Sequence, residues 1–141
     1  MKLVIIESPY AGDVVRNIVY ARACVCDALF RNEAPFLSHL LYTQDGILRD
    51  RNSTERTHGI NAGFAWGEKA ELRAFYIDYG MSSGMVLGKR HAEEIGQASE
   101  ERRLSPETIH HVECVTLWLK NAGVTEETIW GGGINISAII G

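Results

Sequence analysis

The sequence predicts a three-layer Rossmann-like α/β domain, a mostly parallel sheet with helices on both faces. Three observations predict it. Lys2-Leu-Val-Ile-Ile-Glu7 is a buried-strand run that breaks into the polar loop Ser8-Pro9-Tyr10-Ala11-Gly12-Asp13, and a long apolar segment begins at Val14. A strand, a short loop and a helix are how open α/β sheets build a ligand site at a strand's carboxyl end. Strand-like and helix-like segments then alternate along the chain, which implies parallel pairing through crossover helices. The size and composition suit one packed domain: 141 residues, 45% hydrophobic and 23% charged.

The elements follow in order. Residues 2–7 are the first strand. Residues 14–31 are the first helix, N-capped by Asp13, with Val14, Ile18, Ala21, Val25 and Leu29 at helical spacing. Residues 34–38 form a short second strand whose Pro35 suits a first position or an edge. Residues 39–56 read as a long irregular loop, a length that usually marks function or disorder. Residues 57–69 are a second helix and 72–78 a third strand. Residues 79–83 turn into a third helix over 84–95, closed by Gly96. Residues 98–104 are a weak, polar edge strand. Ser105 caps a fourth helix with Pro106 at its first position, running to Asn121. The domain is expected to span residues 1–123. Residues 124–141 form a tail in which the joint Trp130-Gly-Gly-Gly133 leads to an apolar strand over 134–140. That strand needs a partner, in this sheet or in a second subunit.

A net charge of −4 gives no electrostatic footprint for nucleic acid. No apolar run approaches the ~20 residues of a membrane span, and no signal-peptide pattern opens the chain. Cys24, Cys26 and Cys114 make an odd number without framework spacing, which points to the cytoplasm. Cys24 and Cys26 are read as core-filling, and no metal site is expected. No P-loop, dinucleotide fingerprint, HExxH, nucleophile elbow or CxxC pair is present, so no cofactor is expected.

Ile6-Glu-Ser-Pro-Tyr-Ala-Gly12, Asn17, Arg22, Glu33-Ala-Pro-Phe36, Ser38-His-Leu-Leu-Tyr-Thr-Gln44, Arg56, Gly59 and Ser83-Gly-Met85 follow one another in order. This pattern resembles small stand-alone proteins related to the nucleoside 2-deoxyribosyltransferases, many of them encoded by phages and bacteria. The resemblance covers roughly residues 2–104. It implies a pocket for a nucleoside, nucleotide or nucleotide-like ligand at the carboxyl edge of the sheet, and pockets often completed by a neighbouring subunit. In the transferases and the related N-glycosidases a Ser-x-Gly motif is followed, four residues after its Gly, by a catalytic Glu. Here that position is Gly88. Glu93 and Glu94 lie ~7–9 Å of helical rise further along and are poor substitutes.

Cleaving an N-glycosidic bond needs a carboxylate near the anomeric carbon, as carboxylate pairs provide in O-glycosidases. Glu7 and Asp78, at the ends of the first and third strands, are the candidate carboxylates. His39 follows the second strand and is a candidate acid, base or phosphate donor. Ser8, Tyr10 and Gly12 supply the loop wall of a binding site. Ser82, Ser83, Gly84 and Met85 open a helix whose amides and dipole suit an anion, although the same residues also serve as an ordinary N-cap. Arg22, Arg49, Arg51 and Arg56 are candidate anion partners, with Arg49 and Arg51 placed to close over a ligand. His58, His91, His110 and His111 are expected on the surface.

The leading expectation is a binding function, a nucleotide-type ligand held in a pocket without the usual Glu, as in sequestering a nucleotide signal. The alternative is an N-glycosidase or deoxyribosyltransferase with a rearranged site. A third reading makes the apolar tail an assembly element of a homo-oligomer. Neither a nucleic-acid polymer nor a membrane is an expected partner.

Overall fold

A computed structural model describes residues 1–129 of the chain. The strands are β1 (Lys2–Glu7), β2 (Glu33–Phe36), β3 (Leu72–Tyr76) and β4 (Ser99–Arg102). The helices are α1 (Val14–Phe30), α2 (Ser38–Tyr42), α3 (Ser53–Gly67), α4 (Ser83–Glu94) and α5 (Pro106–Asn121). The sheet order is β2-β1-β3-β4 and every pairing is parallel. The expected Rossmann-like three-layer architecture is the one adopted.

Alternation along the central strands divides the layers. Val4, Ile6, Ala74 and Tyr76 join Tyr20, Ala21 and Cys24 of α1 and Val112 of α5 in the larger core. Ile5 and Arg73 face the other way, and Arg73 lies against Gly67 of α3 and Gly88 of α4. The two edge strands are blunted, β2 by Pro35 and β4 by its charged Ser-Glu-Glu-Arg sequence.

Local chemistry sets the boundaries. Asp13 Oδ1 accepts from the Arg16 amide at the head of α1. Ser105 Oγ accepts from the Thr108 amide, with Pro106 at the first position of α5, as the sequence predicts. The stripe predicted for α1 drifts as the helix crosses the sheet. Val14, Ile18 and Ala21 are buried, but Tyr20, Cys24 and Ala28 continue the buried face, while Leu29 is 52% exposed. Cys24 fills the core as expected, whereas Cys26 is exposed beside a groove between α1 and α5.

The predicted 39–56 loop is the main correction. Its first residues form α2, where Gln44 Nε2 donates to the Leu40 carbonyl. Its last form the start of α3, where Asn52 Oδ1 accepts from the amides of Thr54 and Glu55. Only residues 43–52 remain irregular. The boundary expected at 123 also moves. Val124 and Ile129 are buried against Val14, Val15 and Ile18, so residues 124–129 belong to the domain. The predicted glycine joint and terminal strand lie outside the described residues. Among the described residues no helix is long and apolar enough to cross a membrane.

Candidate functional site

The strand order reverses between β1 and β3, which is where open α/β sheets leave a crevice at their carboxyl ends. β1 ends at Glu7, and the chain turns through residues 8–13, with Gly12 at φ +98°. Buried Asn17 of α1 holds that turn, since its Nδ2 donates to the carbonyls of Tyr10 at 2.8 Å and Ala11 at 3.1 Å. From the other side, α4 presents its amino end, where Ser82 Oγ accepts from the Met85 amide at 3.3 Å.

Glu7, Ser8, Tyr10, His39, Ser82, Ser83, Gly84 and Met85 line a single open cleft of about 740 Å³, its solvent mouth included. Two expected site residues do not join them. Gly12 turns the loop but is not in the cleft wall. Asp78 is displaced because β3 ends at Tyr76, two residues earlier than predicted. Its Oδ2 accepts from the Tyr20 hydroxyl at 2.6 Å and from the Leu104 amide at 3.1 Å, fastening β3 to the entry of α5. Among the arginines, Arg56 lines the cleft and donates to Ser83 Oγ at 3.4 Å, beside Asp50. Arg49 and Arg51 instead pair with Glu55 and Glu126. Arg22 lies in the α1–α5 groove. His91 is not a free surface group: it stacks on Phe64 with ring centroids 4.2 Å apart.

His39 Nε2 lies 3.2 Å from the Ser8 carbonyl and 3.1 Å from Ser8 Oγ. A carbonyl can only accept, so Nε2 carries the proton and Nδ1 is the acceptor. Nδ1 is buried and has no hydrogen-bond partner among the described residues. Burial pushes the ring down to about 4, against the opposing pull of its bond to Ser8, so it is neutral at pH 7.

Glu7 faces Arg73, with Oε1 3.3 Å from Nη1. Burial raises the Glu7 carboxyl from 4.5 to about 7, and the Arg73 charge pulls the other way. A Cβ placed on Gly88 would stand 2.5 Å from Glu7 Oε1. Glu7 therefore occupies the space beside Gly88. Sequence reasoning missed Arg73, although one signal was present: a lone charge inside the apolar strand Leu-Arg-Ala-Phe-Tyr. It also missed Asp50 and Phe64, which reach the cleft through packing alone. Among the described residues no group of three or more His, Cys, Asp or Glu could hold a metal ion.

Fold and site together define a Rossmann-like α/β protein with an open cleft at the carboxyl edge of its parallel sheet. Residues 2–102 match the family described as domain of unknown function DUF7768, and the chain belongs to that family. No curated protein and no solved structure matches the chain.

Proposed function

We propose that the cleft binds a nucleoside, a nucleotide or a small molecule derived from one, and that the protein acts by holding this ligand. The observation that carries the reading is the convergence of Glu7, Tyr10, His39 and Ser83 on one cavity at the point where the strand order reverses. Each group has a fitting task. The Tyr10 ring offers a face for a base. The acceptor Nδ1 of His39 and the Glu7 carboxyl suit sugar hydroxyls. The first amides of α4, with the Arg56 guanidinium beside them, suit a phosphate. A protein that holds a nucleotide intact sequesters it, which would remove a nucleotide signal from its receptor.

A second reading is carried by the carboxyl group of Glu7 in the cleft wall. In hydrolysis of an N-glycosidic bond, the bond from C1′ to the base nitrogen breaks and its electron pair leaves with the base. A water oxygen bonds to C1′, the Glu7 carboxylate takes one proton of that water and returns it to the departing base nitrogen, so that Glu7 ends as the carboxylate.

Incubation with a panel of nucleosides and nucleotides, followed by chromatography, separates the two. Stoichiometric retention, with intact ligand recovered on denaturation, is the expected result. Catalytic release of free base, abolished by Glu7→Gln, would establish the second reading instead. If no member of the panel is either retained or cleaved, both fail.

A further inference from the structure

Arg73, the second residue of β3, has a side chain with no exposure at all. Its Nη1 donates to Glu7 Oε1 at 3.3 Å and to the Gly88 carbonyl at 3.0 Å. Its Nε donates to Gln97 Oε1 at 3.0 Å. Gln97 is itself anchored, its Nε2 donating to the carbonyls of Gly67 at 2.6 Å and Ala70 at 2.9 Å. Room for the guanidinium comes from two helices at once. A Cβ on Gly67 would collide with Nη2, and a Cβ on Gly88 would lie 3.3 Å from Nη1 as well as against Glu7. A buried charge is costly unless paired and hydrogen-bonded, and simple sheet stability does not require one here. This arrangement leads from a buried arginine to one carboxyl group, and that group opens onto the cleft.

We infer that Arg73 is the positioning residue of the cleft: seated between Gly67 and Gly88, its guanidinium fixes where the Glu7 carboxyl stands and supplies the counter-charge that lets Glu7 ionise against a ligand hydroxyl. The ligand half of this inference rests on the nucleoside-type reading above. The location of the carboxyl and its ionisation do not.

The other groups around Glu7 leave this task to Arg73. His39 of α2 is neutral. Asp50 and Arg56, from the 43–52 loop and α3, line the same cleft and are 3.6 Å from one another. His91 of α4 stacks on Phe64, whose ring lies under the Arg73 guanidinium, 5.6 Å from Cζ. The cleft-lining start of α4 carries no charged side chain: it is Ser82, Ser83, Gly84 and Met85. The Glu7 carboxyl, near 7, sits within reach of either charge state at neutral pH. A carboxylate accepts from a ligand hydroxyl, whereas the protonated acid donates.

The test is a titration of ¹³C-labelled glutamate carboxyls by NMR in the full chain, without ligand. Wild type is expected to show one glutamate with a midpoint near 7. In Arg73→Met that midpoint should rise by about one to three pH units, because the opposing charge is gone. Arg73→Lys, which restores the charge, should bring it most of the way back. An unchanged or lowered midpoint in Arg73→Met overturns the inference. Should Arg73→Met not fold, Arg73→Gln supplies the same decision. It keeps hydrogen-bond donors but not the charge, so the midpoint should again rise, and an unchanged or lowered midpoint overturns the inference.

The same variants are then offered dAMP, dGMP, dCMP and dTMP across pH. Retention or base release should change at the pH of the carboxyl midpoint and move with it from variant to variant, which a merely structural arginine would not cause. If the midpoint moves but the ligand profile does not, Glu7 does not meet the ligand and that half is overturned. If the midpoint moves and wild type neither retains nor cleaves any of the four, the positioning role stands and the nucleotide reading falls.

Discussion

Two buried arginine–glutamate pairs stand on opposite sides of the same sheet, and the chain treats them in opposite ways. On the α1 and α5 side, Arg102 of β4 grips Glu33 of β2 with both forks of its guanidinium, at 2.7 and 2.8 Å. Arg102 also donates to Glu100 and to the Tyr76 hydroxyl, which in turn donates to Asp27. On the α3 and α4 side, Arg73 reaches Glu7 with a single nitrogen at 3.3 Å. The bidentate bonds hold the Glu33 carboxyl below its usual range, outweighing burial. At Glu7 burial outweighs the one long contact and the carboxyl rises to about 7. The same two residue types thus give a fixed ion pair in one layer and a titrating acid in the other. The balance of burial against bond count and distance decides which.

The largest expected effect breaks the fixed pair. Arg102→Met leaves Glu33 as a buried, unpaired charge and should cost about 3–5 kcal/mol in chemical denaturation at pH 7. Arg73→Met should cost less, about 1–3 kcal/mol, because Glu7 escapes by taking up a proton. Equal losses would erase the distinction between the two sites.

The pH dependence of stability should have opposite signs at the two glutamates. The folded-state value of Glu7 lies above its unfolded 4.5, so the folded chain binds the extra proton. Its contribution is fully present below pH 4.5 and is lost as pH rises to 7 and beyond. Glu7→Gln should therefore be more stable than wild type by about 2–3 kcal/mol at pH 8 and indistinguishable from it at pH 4. For Glu33 the folded-state value lies below 4.5, so its contribution is present above that pH and is lost as the pH falls through the lowered value. A Glu33→Gln defect at pH 7 should fade in acid. Thermal melts of both variants across pH read this directly, and parallel profiles would contradict it.

Gly88→Ala forces a methyl group against the Glu7 carboxyl and should cost about 1–3 kcal/mol. Glu7→Ala made in the same chain should recover part of that loss, whereas strictly additive losses would mean that the two positions do not compete for space. The smallest effect is expected from Asn17→Ala, which frees the 8–12 turn but touches neither pair. It should cost about 1 kcal/mol by thermal melting and leave the Glu7 titration in place. A shifted titration would give the loop, not Arg73, control of the carboxyl.

The local signals were legible in the sequence because they act over a few residues. Asp13, Ser105 and Pro106 start their helices as read, since a cap needs only its own turn. The strand-loop-helix opening placed Glu7, Ser8, Tyr10 and Ser83 at one edge because parallel strands end on one side. The errors lie where distant residues decide. Asp78 was misplaced because β3 stops at Tyr76, and Tyr20, far away in sequence, claims its carboxylate. The 39–56 segment was read as irregular because its Asn52 cap was not recognised.

By itself the sequence determined the alternating α/β order, and with it the carboxyl-edge cleft, because hydrophobic period and capping chemistry are encoded locally. Only the tertiary structure decided which glutamate stays charged. The ionisation of a carboxyl depends on the space, burial and counter-charge that Gly67, Gly88 and Arg73 bring to Glu7 from three other elements, and no local pattern in the chain records that meeting.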